Sequence, residues 1–184
     1  MDAIANLHSR VSHSKVVGPA PSEQALDSIF RAALRAPDHA QLRPWRFLRI
    51  EGEALQRLAD LFETAALTDN PELSQDDRAS VRAKALRAPL VITVISRAMP
   101  HPKIPLLEQD LSAGCASHAM LLAAHAQGLG AIWRTGPMAT HPVVLRGLGL
   151  QAHEKIIAFL YVGHPHGPAR QPKELRVDEF VQRW

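Results

Sequence analysis

Apolar residues along this chain recur with two different periods, and each period predicts a different structural element. A helical stripe runs from Ala25 to Leu34, with Ser22 placed to cap the helix and Glu23 in the first turn, where an acid complements the helix dipole. The run APLVITVIS, residues 88–96, is uninterrupted and rich in β-branched side chains, which predicts a strand buried on both faces. Helices and strands are therefore both expected to contribute to the core.

The same two patterns predict the other elements. Helices are expected near residues 4–11 and 55–65 and over 110–128, and strands over 45–50, 129–136 and 155–163. Because helices and strands alternate, a sheet with helices on both faces is the natural packing solution. The longest helix is rich in alanine, which lets another helix approach closely at a core or a subunit interface.

Two stretches fall outside these periods. Residues 68–80, TDNPELSQDDRAS, are polar and acidic, and they indicate either a mobile loop or lid or simply solvated surface. The tail from His164 to Trp184 has no clear period, and an arm laid over a partner is one interpretation of it.

Composition favours a single globular domain in a reducing cytoplasm. The 184 residues are expected to form one domain, 1–184, and 46% apolar with 21% charged residues is ordinary for such a domain. No apolar run approaches the roughly 18 residues of a membrane span, and no secretory signal is recognisable. Cys115, the only cysteine, allows no internal disulfide, so a cytoplasmic protein away from membranes is expected.

Charge narrows the range of partners. The formal net charge of +3 comes from Lys and Arg residues that are scattered rather than gathered in a stripe with aromatics, which argues against nucleic acid. A small anionic ligand fits this pattern better, because one phosphate needs only two or three cations and some backbone amides.

Several catalytic signatures are missing from the sequence. It has no G-x-S-x-G elbow, Walker A motif or C-x-x-C pair, and GLGAIW lacks the third glycine of a dinucleotide fingerprint. His118 and His125 are two helical turns apart, and His164 and His166 lack a third ligand, so no zinc site is expected. Cys115 lies among small apolar residues, which favours a buried side chain over a nucleophile.

What remains is a set of positions suited to an extended ligand with a phosphate at one end and a flat ring at the other. They are Arg10, Ser12, Arg35, His39, Trp133, Arg134 and Thr135. A structural alternative stays open for each kind of residue. Arg10 can complement its helix terminus, Arg35 can pair with a surface acid, and Trp133 can belong to the core.

Five segments of the chain follow one another in an order found in a known family. They are MDAI with R-x-S, RAPDH with PW-x-F-x-x-IEG, KALRAPLVITV, EQDLSAGCASHAMLLAAHAQGLGAIWRTG, and PVV with KIIAFLYVGHP. These segments resemble the FMN-dependent nitroreductase family, most closely its small, minimal NAD(P)H nitroreductases of enterobacteria. The resemblance runs from residue 1 to about residue 165, which makes it far more specific than any single motif.

The resemblance implies an α+β fold, a three-layer α/β/α sandwich around a mixed sheet, in a homodimer with the long helix at the interface. FMN would lie between the subunits, would take electrons from NADH or NADPH by a ping-pong route, and would pass them to a nitroaromatic, a quinone or a similar small molecule. Matching positions imply that FMN is bound by Arg10, Ser12, Arg35, His39, Trp133, Arg134 and Thr135. The stretch associated with the nicotinamide nucleotide corresponds to Ala123, Ala124, His125, Ala126, Gln127 and Gly128.

The chemistry of a flavin suits these residue types. Reduced flavin carries negative charge near N1 and the C2 carbonyl, so Arg35 or Arg134 is expected to stabilise it. The N5 atom requires a backbone N–H group, by analogy that of Thr135 or Gly136. Hydride transfer between stacked rings needs no acid or base from the protein, and His39 is assigned a hydrogen bond to the cofactor.

Three positions depart from the family's pattern. Val11 replaces the second of two arginines, which either weakens the phosphate site or leaves that charge to Lys15. Arg43 stands where a glutamine commonly precedes the Pro-Trp pair, which either alters substrate access or adds a cation near the flavin. Trp133 stands where larger members often carry proline, and its bulk would narrow the acceptor pocket. A non-catalytic flavin carrier or redox sensor, and a histidine-dependent metal enzyme, are the alternative functions.

Overall fold

The chain folds around a five-stranded sheet, seen in a computed structural model that describes residues 2–168 and 170–184. Met1 and Ala169 lie outside the described residues; the predicted domain includes both of these positions, and the predicted arm includes Ala169. The strands are β1 (Val16–Val17), β2 (Trp45–Glu51), β3 (Leu90–Ser96), β4 (Gly130–Arg134) and β5 (Lys155–Pro165). The helices are α1 (Ala3–Ser9), α2 (Glu23–Ala33), α3 (Glu53–Asp69), α4 (Gln75–Ala85), α5 (Leu106–Ala126) and α6 (Pro142–Gly147). None of these described helices is both long and apolar enough to span a membrane.

All strand pairings within the described residues are antiparallel. The order is β2-β3-β5, and β1 and β4 also pair with β5. The prediction of a mixed sheet is therefore wrong for the single chain. Two helices, α3 and α4, connect β2 to β3, and two helices return the chain to the end that it left, so β3 runs opposite to β2.

Helices cover both faces of the sheet, which confirms the predicted α+β class and its three layers. Successive residues of β3 point to opposite faces. Leu90, Ile92 and Val94 join the core formed with α2 and α5. Val91 and Ile95 join the core formed with α3 and α6. All seven residues of β3 are buried, as its apolar run predicts.

The ends of the helices agree with the sequence in some places and not in others. Ser22 caps α2, since its Oγ accepts a hydrogen bond from the N–H of Ala25 at 3.2 Å. Leu34 lies just past the last helical residue and is 58% exposed, so it does not join the core as predicted. Helix α5 begins at Leu106 rather than at Asp110, directly after Pro105, whose backbone is extended.

Two predictions from the sequence are wrong. Residues 68–80 are mostly helical: α3 runs to Asp69, and Ser74 caps α4 by accepting the N–H of Asp77 at 3.2 Å. The segment is therefore not a loop, and its mostly exposed residues agree with the solvated-surface interpretation. Cys115 is exposed rather than buried, because it continues the outward-facing row of Leu107 and Leu111 along α5.

Candidate functional site

A cavity of about 440 Å³ opens at the carboxyl end of β4. Trp133, Arg134 and Thr135 line it, so three of the residues predicted to bind the ligand lie together. The chain then turns at Gly136, whose φ of 72° favours glycine, and enters a short 3-10 turn at Pro137–Ala139. The strand end and this turn therefore form one wall of the cavity.

Aromatic rings form the apolar part of the cavity. Phe159 and Tyr161 come from β5, and the ring of Phe62 from α3 meets Phe159 edge to face at 5.7 Å between centroids. Tyr161 is only 4% exposed, and this burial raises the pKa of its phenol. A flat apolar ligand would meet complementary surface here.

The charged side chains that line the cavity, within the described part of the chain, are all cations. Arg134 comes from β4, Lys84 from the last turn of α4, and Arg87 from the loop before β3. The Nε atom of Arg134 is buried without a hydrogen-bond partner among the described residues. A buried guanidinium nitrogen of this kind, beside two further cations, favours an anionic or electron-rich ligand atom.

Lys84 and Arg87 are cavity residues that the sequence analysis did not identify. Cations near the carboxyl end of a helix commonly just complement its dipole, so nothing in the sequence set these two apart. The usable signal was their position, since both lie immediately before the buried strand β3.

The indole of Trp133 has a fixed position. Its Nε1 donates a hydrogen bond to the carbonyl oxygen of Ile157 at 3.2 Å. The ring also lies against α5, where a Cβ added at Gly114 would be 3.8 Å from it. Trp133 therefore packs on the core, as its structural interpretation predicts, and it also lines the cavity.

Arg10 and Ser12 are half-buried in the segment that follows α1. This segment runs beside β4, since the N–H of His13 donates to the carbonyl oxygen of Ala131 at 3.0 Å. Burial, and then the nearby charges of His13 and Arg10, lower the pKa of His125. The segment therefore gathers positive charge alongside the strand that leads to the cavity.

A smaller basic hollow of about 180 Å³ borders the same segment. Its lining includes His13, Lys15 and Arg170, and the guanidinium of Arg170 donates to Ser14 Oγ at 3.3 Å. Lys15 thus lies with other cations in this hollow.

Arg35 and His39 lie apart from the cavity, in the exposed loop between α2 and β2, and neither of them lines it. Arg35 borders a separate hollow of about 300 Å³, together with Asp38 and Trp45. His39 instead contacts the first turn of α5, with its Nδ1 3.0 Å from Glu108 Oε2. One chain therefore does not bring all seven predicted FMN residues together.

Backbone strain is concentrated in that same loop. Ala40, Gln41 and Arg43 have positive φ angles of 61°, 55° and 51°. Each such angle costs a non-glycine residue roughly 1 kcal/mol, and strain of this kind is common at ligand sites. Asp38 offsets part of the cost, since its Oδ2 accepts the N–H of Arg43 at 2.7 Å.

Ala123, Ala124, His125, Ala126, Gln127 and Gly128 form the carboxyl end of α5 and the turn after it. Ala124 is buried, and the side-chain amide of Gln127 donates to the carbonyl of Ala123 at 2.9 Å. None of the six lines the 440 Å³ cavity, and the negative end of a helix dipole disfavours phosphate. Binding of a nicotinamide nucleotide at these residues stays a prediction.

In the described part of the chain, no three His, Cys, Asp or Glu side chains lie close enough to hold a metal ion together. Of the two histidines of α5, His125 contacts helix α1. His125 Nε2 lies 3.0 Å from Ser9 Oγ, which ties α5 to α1.

Known proteins share both the sequence pattern and the fold. The model of the nitroreductase family matches residues 7–164. The protein of Escherichia coli (strain K12) named "Putative NAD(P)H nitroreductase YdjA" is 43% identical over 167 residues, which cover 90% of this chain and 89% of that protein.

Solved structures show the same architecture. The nitroreductase-like family protein from Bacillus cereus has a TM-score of 0.85 at 20% identity, over 100% of this chain and 96% of that one. A mutant of the FMN and NADPH-dependent nitroreductase NfnB from sphigopyxis sp. strain HMH has a TM-score of 0.76 at 19% identity, over 100% of this chain and 99% of that one. At these identities the likeness is one of fold.

Proposed function

Because this chain belongs to the nitroreductase family, we propose that it is an FMN-dependent oxidoreductase that takes electrons from NADH or NADPH. It then reduces nitroaromatics, quinones or similar small acceptors, in a ping-pong sequence. The observation that carries the proposal is the cavity at the end of β4, which combines aromatic walls with Lys84, Arg87 and Arg134.

The cavity fits a flavin ring in both shape and charge. Phe159 and Tyr161 offer an apolar surface to a flat ring, and Phe62 closes the space behind them. Arg134, whose Nε has no hydrogen-bond partner in the described part of the chain, is suited to the edge of the ring that becomes negative on reduction. Lys84 adds positive charge to the lining of the cavity, which favours the reduced state of the flavin.

When bound, FMN would supply the electron-accepting ring and therefore the redox chemistry itself. The chain's own task is to bind the ring, to orient it and to keep water away from one face. The N–H groups of Thr135 and Gly136 follow the last paired residue of β4, so they are available to orient the ring. Arg10 and Ser12 hold the phosphate end in this proposal, and His39 donates a hydrogen bond to the cofactor.

Two subunits complete the site in this proposal. Arg10 and Arg134 lie near β4, whereas Arg35 and His39 lie on the loop before β2 and outside the cavity. A homodimer that brings the loop of one subunit to the cavity of the other would unite all seven predicted residues.

The surface of the chain offers apolar area for such a dimer. On α5, Leu107 and Leu111 are 67% and 58% exposed, and on α1 Ile4 and Leu7 are 59% and 49% exposed. Large apolar side chains grouped on neighbouring helices are typical of an interface. Asn6 joins the two helices, since its Nδ2 donates to the carbonyl of Leu122 at 3.2 Å.

The visible spectrum of the purified protein tests this function. We expect a yellow protein that releases FMN on heating, identified by its mass, and that bleaches when NADH or NADPH is added without oxygen. A quinone or a nitroaromatic should then restore the colour rapidly. The Arg134→Gln variant should retain less FMN, with Arg57→Gln, a charge loss on exposed α3 surface, as the matched control.

Other outcomes would assign a different function. A yellow protein that bleaches only slowly with both nucleotides would be a flavin carrier or sensor. A colourless monomer that binds no FMN even at saturating concentration would contradict the proposal, and activity lost to chelators would point to the metal alternative.

A further inference from the structure

A further hollow, of about 320 Å³, lies at one end of the sheet and shares no lining residue with the 440 Å³ cavity; we call it the edge hollow. Its lining residues are Leu42, Arg43, Arg97, Met99 and His153. Their positions follow from the sheet register, in which Trp45, Ser96 and Lys155 lie side by side on β2, β3 and β5. Arg43, Arg97 and His153 each lie one or two residues beyond that row, so three neighbouring strand ends present basic side chains together.

Backbone hydrogen bonds hold the two arginines beside each other. The N–H of Arg97 donates to the carbonyl of Pro44 at 2.9 Å, and the N–H of Trp45 donates to the carbonyl of Arg43 at 2.8 Å. Arg43 is also fixed by Asp38, whose Oδ2 accepts its N–H at 2.7 Å. These contacts place two guanidinium groups at one site despite their mutual repulsion.

Two carboxylates lie near these arginines, and both already accept hydrogen bonds: Asp38 from the backbone N–H of Arg43, and Glu154 from another arginine. Glu154 has a side chain that is 3% exposed, and it accepts hydrogen bonds from Arg46 Nε at 2.8 Å and Arg46 Nη2 at 2.7 Å. Arg97 Nε is 3.5 Å from the same carboxylate, and no described acid forms an ion pair with the side chain of Arg43. The edge hollow therefore has an excess of positive charge, with the half-exposed Met99 as an apolar wall.

We propose that the edge hollow binds the 2′-phosphate of NADPH and so makes the enzyme prefer NADPH over NADH. A phosphate monoester is a dianion that pairs in bidentate fashion with guanidinium groups, and arginine is the usual partner of this phosphate. Arg43 also lines the 300 Å³ hollow of Arg35, which connects the two sites through one loop. The apolar side chains of Leu42 and Met99 suit the adenine ring. This inference rests on the proposed function, and it places the nucleotide at the Lys155 end of the sheet rather than at residues 123–128, which the family resemblance implies and which precede the opposite end of β4.

The test is the anaerobic reduction of the FMN-loaded protein, measured by stopped flow with NADPH and NADH separately. Arg43→Gln and Arg97→Gln should each raise the NADPH concentration for half-maximal rate roughly tenfold, because each removes one charged hydrogen bond to phosphate. The limiting rate should not change, and the NADH concentration for half-maximal rate should change less than about twofold. Arg57→Gln, which removes the same charge elsewhere, should change neither nucleotide.

Calorimetry on the loaded protein gives a direct readout. Adenosine 2′,5′-bisphosphate should bind roughly tenfold more tightly than adenosine 5′-monophosphate, and Arg97→Gln should remove the difference. Equal binding of the two nucleotides would overturn the inference, as would equal loss of NADH and NADPH kinetics in Arg97→Gln. Binding of inorganic phosphate alone with the affinity of the bisphosphate would also overturn it, by showing a general phosphate site.

Failure of this inference differs from failure of the proposed function. A protein that is reduced equally well by both nucleotides, with no effect of Arg43 or Arg97, remains a flavin oxidoreductase without this site. A protein that neither binds FMN nor is reduced by either nucleotide contradicts the function itself.

Discussion

Glu154 shows how one buried charge can stabilise the end of the sheet. Hydrogen bonds from the Arg46 guanidinium lower the pKa of Glu154 to about 2, and the N–H of Gln151 contributes further. Because the pKa is below its ordinary value near 4.5, the ionised carboxylate stabilises the fold above that pH. The stabilisation is lost as the pH falls from 4.5 towards 2.

The variant Glu154→Gln should therefore lower the free energy of unfolding at pH 7 by roughly 2–3 kcal/mol, since it leaves Arg46 without its partner. Chemical denaturation at several pH values measures this. The difference from the parent protein should shrink below pH 4.5, as the parent loses its own contribution. Glu23→Gln, which breaks an exposed pair with Arg49, is the control and should change little at any pH. An equal loss at pH 7 and pH 3 would contradict the assignment.

Single residues also show how far the sequence alone could go. Trp133 and Arg134 were expected at a ligand-binding strand end, and they do line a cavity there. Lys84 and Arg87 were missed because a cation at a helix end has an ordinary electrostatic role that hides any other. Cys115 was expected to be buried, since small neighbours suggest a core. It is exposed, because it lies on the same outward face of α5 as Leu107 and Leu111.

At the scale of elements, β5 organises the sheet, and its close contacts depend on a glycine. A Cβ at Gly163 would lie 2.8 Å from Pro89 Cδ and 2.9 Å from the backbone oxygen of Val17. Pro89 precedes β3 and Val17 belongs to β1, so a side chain there would force apart segments on which two strand pairings depend.

We expect Gly163→Ala to lower the free energy of unfolding by about 1–3 kcal/mol, because backbone and a proline ring cannot move aside cheaply. Thermal or chemical denaturation measures the loss. Gly114→Ala is the matched control: its Cβ would meet only Trp133 at 3.8 Å, and alanine in a helix is favoured by roughly 0.5–1 kcal/mol. Similar behaviour of the two variants would contradict this explanation.

The elements that the sequence predicted best were those with strong apolar patterns. The run of β3 and the stripe of α2 were both recognised, because burial on a face leaves a clear period. Helix α4 was missed, since only Ala85 is buried in it and its remaining residues are mostly polar. Without α4 the number of helices between β2 and β3 was underestimated, whereas the mixed sheet was implied by the family resemblance and not by this count.

At the scale of the whole molecule, the division of the site between two chains is the central prediction. If Arg10 and Arg134 of one subunit act with Arg35 of the other, then Arg10→Gln and Arg35→Gln homodimers should each lose most of their FMN. Chains of the two variants expressed together should form mixed dimers in which one site has all of its arginines. Unbiased pairing would restore roughly a quarter of all sites, measured as FMN per subunit.

The control for this experiment combines Arg10→Gln with Arg134→Gln. Both residues belong to the same side of the shared site, so every site in the mixed dimer would lack one of them, and no FMN should return. Absence of recovery in the first pair would place Arg10 and Arg35 in the same subunit, and recovery in this control would place Arg10 and Arg134 in different subunits; either result would contradict the proposed division of the site.

The position of β5 in the chain also bears on how the protein is made. Among the described strands, three pair directly with β5, and all of them are translated before it. Until then the apolar segment LVITVIS of β3 has one unpaired edge, and such segments are prone to aggregate. The nascent chain therefore has to be shielded until β5 has been translated, and a chain cut short before residue 155 should form insoluble material.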